Sequence, residues 1–398
     1  MSRLRMNRAF IEILWIFLKL GCTSFGGPVA HLGYFRNEFV ERRKWLSETK
    51  FADMIALCQF LPGPASSQVG FCIGIHRGGI AGGFLAWLGF TAPSAAIMIC
   101  FAYGVTLYSN VLTGNLLQGF KILALAVVAR AVWGMAKALC PDRTRITLAV
   151  LAAVIVLAFP ASWTPIAVIV LGGAAGYGLF HHKNLETAGR NKPTRRTGIQ
   201  GVVCLILFFS LLLLLPAGAN IFENNTIHIV DSFYRVGSLV FGGGHVVLPL
   251  IQAEVVAPGR ISEDAFTAGY GAAQALPGPL FTFSAYLGAA MDSAPNGWKG
   301  GFIALVSIFT PSFLLVLGVL PFWESLRTKA SIQAALRGTN AAVVGILLAA
   351  LYHPVWTQAV VETRDFLIAL AAFCLLQFWK VSVVFVLIGC AAATYFLR

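Results

Sequence analysis

Charge is what this sequence has least of. Of its 398 residues, 11% are Asp, Glu, Lys or Arg and 58% are hydrophobic, with a mean hydropathy of +0.78. Soluble globular chains carry about 25% charged residues, so a soluble fold is excluded. Acids are scarcer than bases, 16 against 29, which leaves a net charge of +13. No Cys-x-x-Cys pair, HExxH motif, Walker A loop or dinucleotide fingerprint occurs. That argues against a metal site, a cofactor and ATP-driven pumping by this chain. The eight cysteines are scattered and mostly apolar in setting, so they read as small buried residues and not as a disulfide framework. The basic excess gathers in short loops, where it marks membrane topology and not nucleic-acid binding.

What is present in abundance is apolar sequence in runs of about 20 residues or more, enough for a helix to cross a bilayer. The chain therefore reads as an all-α polytopic membrane protein, and it is duplicated. Gln59-Phe60-Leu61-Pro62-Gly63-Pro64 returns 215 residues later as Gln274-Ala275-Leu276-Pro277-Gly278-Pro279. Phe25-Gly26-Gly27 pairs with Phe241-Gly242-Gly243, Gly21 with Gly237, and Glu38 with Glu254. Ser47 pairs with Ser262, Phe51 with Phe266, and Pro93-Ser94 with Pro311-Ser312 after a small gap. Each half is interrupted by glycine and proline at matching places.

Residues 1–8 are basic and expected in the cytoplasm. The Leu20-Gly21-Cys22 stretch faintly resembles a lipoprotein signal, but Lys19 is wrong for one and Gly21 belongs to the repeat, so a retained segment is expected. Residues 9–35 and 51–75 each have basic flanks at both ends and a break in the middle, at Gly26-Gly27-Pro28 and at Pro62-Gly63-Pro64. Each is expected to enter the membrane and turn back, with its exposed backbone covered by protein or a wet cavity. Four ordinary spans follow, at about 80–108, 111–138, 146–160 and 163–180. The polar, basic stretch 181–198 is the boundary between an N-terminal repeat, 1–180, and a connecting span at 199–217. That extra span inverts the second repeat, 218–398, whose ordinary spans fall near 300–322, 332–352, 365–380 and 381–397. The loop between its hairpins carries Glu254, Arg260, Glu263 and Asp264, acidic on balance where the first copy is basic. A reversal of sign is what an inverted repeat produces under the positive-inside rule. The N-terminus is expected inside and the C-terminus outside.

Four mid-membrane breaks in two matched pairs point to a binding site. Helices that restart after a break present free N–H groups and a positive dipole end, suited to an anion. Ser24, Gly26, Gly27, Gln59, Pro62, Gly63 and Pro64 form its expected half-one wall, and Gly242, Gly243, Gln274, Pro277, Gly278 and Pro279 its half-two wall. Packing kinks are the alternative reading. Ser66, Ser67, Ser238, Thr282 and Ser284 either donate to an oxyanion or satisfy freed backbone groups. Lys19 and Arg235 occupy matching positions, and Arg130 lies in a span without an acid, so all three are cation candidates. Arg130 has a stronger claim than Lys121, nine residues earlier on the opposite helix face. Glu12, seven residues before Lys19, reads as its partner. His31 and His245 follow the glycine turns, and with Glu38, Asp53 and Glu254 they are the proton-coupling candidates, hydrogen-bonded packing being the plainer role for the histidines. No buried carboxylate cluster for a cation is apparent.

These stretches, Leu20-Gly21 through Ser24-Phe25-Gly26-Gly27-Pro28, Gln59 through Pro64, Gly237 through Gly243 and Gln274 through Pro279, resemble the chromate ion transporter family in its long, two-domain form. The likeness covers nearly the whole chain outside 181–197, and Gly244 replaces Pro28 in the second copy. The resemblance implies efflux of chromate across a bacterial inner membrane, driven by the proton motive force and conferring chromate resistance, through inverted homologous halves. It implies a divalent tetrahedral oxyanion as cargo, with protons and the lipid bilayer as further partners and a homodimer as a candidate assembly. Sulfate or another oxyanion, an anion channel, and a membrane-embedded enzyme are the alternatives; no nucleophile–base constellation supports the last.

Overall fold

The computed structural model describes residues 3–25, 27–107, 114–160, 164–180, 195–222, 224–240, 247–326 and 329–397. Among them every regular element is helical. The first half runs α1 (Arg3–Thr23), α2 (Gly27–Phe35, continued by a π-helical turn over Arg36–Arg42), α3 (Glu48–Phe60), α4 (Ala65–Leu107), α5 (Gly114–Leu139), α6 (Arg143–Ala158) and α7 (Thr164–Phe180). Then α8 (Arg195–Phe222) leads to α9 (Asn225–Leu239), α10 (Val247–Val255), α11 (Glu263–Ala275), a 3₁₀ turn over Leu280–Thr282, α12 (Phe283–Ala290) and α13 (Gly297–Val319). The chain ends with short α14 (Trp323–Leu326), α15 (Ala330–Ala350), one-turn α16 (Thr357–Ala359), α17 (Thr363–Gln377) and α18 (Val383–Leu397).

The same sequence devices fold the same way in the two copies. Ser47 caps α3 by accepting the Lys50 N–H, and Ser262 caps α11 by accepting the Ala265 N–H, each at 3.3 Å. Both helices are 13 residues long, about 20 Å at 1.5 Å per residue, well short of the roughly 30 Å hydrocarbon core. Both stop because a proline forces the residue before it out of the helical region: Leu61 sits at φ −84°, ψ 146° and Leu276 at φ −87°, ψ 151°. The following glycines, Gly63 and Gly278, have φ of +121° and +92°, open to glycine and strained for other residues. A further break at Gly78 and Gly79 splits α4 into a half-length leg and a full span, near the expected start at residue 80.

Packing is reciprocal. Helix α1 lies along α4 and α9 along α13, α5 packs on α17 and α18, and α15 packs on α6 and α7. Close approach needs Gly21 and Gly237. A Cβ on Gly21 would come within 2.7 Å of the Phe90 carbonyl oxygen, and one on Gly237 would run into that of Ile308. Among the described residues five helices are long and apolar enough to span a membrane, and large apolar side chains such as Ile206, Leu213, Phe385 and Phe396 remain exposed for lipid. The connecting helix α8 is the least packed of the five, with 11% of its apolar window buried against 67% for α13.

Candidate functional site

The two proline-glycine breaks meet the two glycine breaks crosswise. The Gly63 amide of half one donates to the Val240 carbonyl of half two at 2.6 Å. The Gly278 amide of half two donates to the Ser24 carbonyl of half one at 2.9 Å. Ser24 and Val240 are the first residues past α1 and α9, so each loop is anchored on the end of the other half's helix. Ser312 stands against Gly63, and the Ser94 hydroxyl lies 2.7 Å from where a Gly278 Cβ would be. The matched Pro-Ser pairs thus floor the two loops.

Around this crossing lie polar groups with no protein partner. The hydroxyls of Ser24, Ser67, Thr91 and Ser312 and the Oε1 of Gln68 are unpaired, although these residues are between 0% and 3% exposed. Leaving one such group unsatisfied costs about 1–3 kcal/mol, so five on the stretches that build one crossing call for a ligand or ordered water. His31 closes the cluster: one ring nitrogen faces the Ser24 carbonyl at 3.2 Å and the other the Ser66 hydroxyl at 3.3 Å. Because the carbonyl only accepts, Nε2 carries a proton; in the neutral imidazole Nδ1 then accepts from Ser66, and both ring nitrogens are paired. Phe90 meets the ring edge-on at 5.2 Å.

The chemistry is lopsided. With register fixed by Gly21/Gly237, Gly63/Gly278 and the carbonyls of Phe90/Ile308, polar Ser24, His31, Ser66, Gln68 and Thr91 correspond to Val240, Val247, Phe281, Phe283 and Phe309. The half-two hydroxyls of Ser238, Thr282 and Ser284 are spent on nearby carbonyls, those of Tyr234, Pro279 and Phe281. Among the described residues half one supplies the polar wall, and half two, apart from Ser312, supplies shape.

The expected residues are distributed as follows. Ser24, Pro62, Gly63, Pro64, Pro277, Gly278 and Pro279 are at the crossing, and Gly27 begins the helix that carries His31. Gly26, Gly242, Gly243 and His245 lie outside the described residues. Gln59 is exposed on α3, and Gln274 hydrogen-bonds Tyr270; Gln68 and Thr91, which the repeat does not mark, stand at the crossing in their place. Asp53 opens the second hairpin, one turn into α3 and half-buried.

None of the three cation candidates reaches the cluster. Lys19 is exposed and lies about 140° around α1 from Ser24 at about 100° per residue. Arg130 is exposed on α5. Arg235 is held by Asp231 at 2.5 Å and Glu254 at 3.3 Å, and Glu254 also accepts a hydrogen bond from Ser232. Glu12 does not pair with Lys19; it bridges Arg43 at 2.9 Å and Arg77 at 3.3 Å, because the returning legs bring one guanidinium to each of its carboxylate oxygens. Lys121 reaches across to Asp264 at 2.6 Å. Glu38 lies between Arg43 at 2.5 Å and Arg42 at 3.1 Å in the π-helical turn that continues α2. Burial works against its charge, but the two guanidiniums outweigh it and hold Glu38 below the usual carboxylate range.

A family model described as chromate transporter matches residues 11–177 and 227–395, one match per half. The chain is 26% identical over 355 residues to an uncharacterized transporter of Methanocaldococcus jannaschii, covering 87% of this chain and 84% of that one. It is 26% identical over 347 residues to a chromate transport protein of Pseudomonas aeruginosa, covering 83% and 77%. It is 23% identical over 386 residues to a chromate transport protein of Cupriavidus metallidurans, covering 96% and 91%. No solved structure matches it.

Proposed function

The chain belongs to the chromate transporter family, whose members move an ion across a membrane, and from that premise we propose a secondary transporter that exports chromate across a bacterial inner membrane, driven by the proton motive force. Resistance to chromate is the physiological outcome of such export. The observation that carries the reading is the crossed pair of loops with its five unpaired buried polar atoms. A tetrahedral oxyanion accepts from several directions at once, and the Ser24, Ser67, Thr91 and Ser312 hydroxyls are donors awaiting such an acceptor. Binding through neutral donors is modest, which suits cargo that must leave again.

Inversion of the halves in the membrane is part of the proposal: it sets one latch, Glu12–Arg43–Glu38, toward the cytoplasm and the other, Asp231–Arg235–Glu254, toward the outside. Two carboxylates sharing one guanidinium can hold a proton, so the outer latch, with Glu254, is the proposed entry point for the driving proton, and His31 the group nearest the cargo. Everted vesicles test this. Chromate uptake against its own gradient, abolished by an uncoupler, is expected. Uptake that only equilibrates would mean a channel, and preferential uptake of sulfate would mean another oxyanion's carrier.

A further inference from the structure

We propose that the crossing binds its oxyanion in the singly protonated form, with the oxyanion's own hydroxyl donated to Gln68 Oε1. This rests on the reading above that the crossing holds an oxyanion. Gln68 is 2% exposed, and its Nε2 donates to the Pro62 carbonyl at 2.7 Å. That carbonyl only accepts, so the amide orientation is fixed and Oε1 is left as the bare, unpaired end. An oxygen without a proton repels a fully ionised oxyanion. It attracts one that carries an O–H.

Charge points the same way. Among the described residues no cation stands at the crossing: Lys19 faces away, Arg130 is exposed, Arg235 is committed to two acids and His31 is paired as a neutral ring. The penalty for removing an ion from water grows with the square of its charge, so an unneutralised dianion costs about four times what a monoanion of the same size does. The hydroxyls of Ser24, Ser67, Thr91 and Ser312 solvate one negative charge, and Gln68 receives the remaining proton.

This gives a basis for telling chromate from sulfate, two dianions of one shape. Hydrogen chromate is much the weaker acid, so near neutrality a usable fraction of chromate carries a proton and almost no sulfate does. Selection then follows protonation state, not size. The titratable groups on the surrounding elements include His31 on α2, Asp53 and Cys58 on α3, Cys72, His76 and Arg77 on α4, Glu12 and Lys19 on α1, Asp231 and Arg235 on α9 and Glu254 on α10; α13, which carries Ser312, has only Lys299, at its far end.

The test is calorimetric titration of the purified full chain with chromate and with sulfate, in two buffers of different ionisation enthalpy, on both sides of chromate's second pKa. Above that pKa, one proton taken up per chromate bound is expected, with affinity falling tenfold per pH unit; below it, no uptake. Sulfate is expected to bind at least tenfold more weakly throughout. Chromate binding without proton uptake overturns the proposal. So does sulfate binding of equal strength with the same uptake, because the proton would then belong to His31 or another protein group. Failure of chromate to bind at any pH overturns the oxyanion reading as well, which separates the two failures. Gln68→Leu is expected to lose the proton uptake; since Nε2 also holds Pro62, the comparison of the two anions on the unaltered chain decides the matter if that variant does not fold.

Discussion

Thr91→Val should make the protein more stable and a poorer transporter at once. Thr91 is 1% exposed and its hydroxyl has no partner. Valine has nearly the same shape, so the exchange removes the orphan without opening a cavity. The orphan costs about 1–3 kcal/mol in the empty protein, and the new buried methyl contributes roughly 0.8 kcal/mol, so unfolding should shift to higher temperature. With cargo bound, the same hydroxyl donates to a charged group, a bond worth about 1.5–3 kcal/mol, or roughly a 10- to 150-fold loss of affinity at 1.4 kcal/mol per decade. The two measurements are unfolding of the purified protein followed by tryptophan fluorescence, and chromate uptake by everted vesicles across substrate concentrations. A variant that unfolds earlier and transports normally would refute the reasoning, because Thr91 would then be a structural residue with a partner.

Gly63→Ala should cripple folding: alanine at φ +121° costs about 1–3 kcal/mol, and its methyl collides with Ser312. Gly134→Ala, in open space on α5, should fold normally in the same expression and gel-filtration assay. Val40→Cys and Pro258→Cys, one in each matching loop, should label from opposite sides of the membrane with an impermeant thiol reagent; labelling from one side would end the inverted arrangement. Arg130→Gln should retain export, since the crossing is built without it. Glu38 has a depressed folded-state pKa, so its contribution is fully present above the unfolded value of about 4.3 and is lost as pH falls through the folded one; Glu38→Gln should remove that part of the acid-side loss in thermal unfolding.

Architecture was legible because the two copies solve identical local problems with identical residues. Ser47 and Ser262 cap, Pro62 and Pro277 stop the helix, and Gly63 and Gly278 turn the chain. Such effects act over a few residues and leave matched marks. The polar wall was not legible from those marks, because it lies where the copies disagree: Thr91 against Phe309, Gln68 against Phe283. A position-by-position comparison of the halves would have exposed it, once the register was known. The committed state of Arg235 was half readable, since Asp231 sits four residues before it on one helix face. Its second partner, Glu254, comes from another helix, and Lys121 finds Asp264 from the opposite half; only tertiary packing brings those together.

Because each loop is anchored on the other copy, neither half is a finished object on its own. A ribosome that has released residues up to 222 has produced a Gly63 amide whose acceptor, Val240, does not yet exist, and a Ser24 carbonyl still waiting for Gly278. The N-terminal portion must linger in the bilayer, incomplete, until more than fifty further residues have been inserted. Biogenesis is therefore the stage at which this protein is most exposed to quality-control proteases, and two separately synthesised fragments should survive in a cell only when made together.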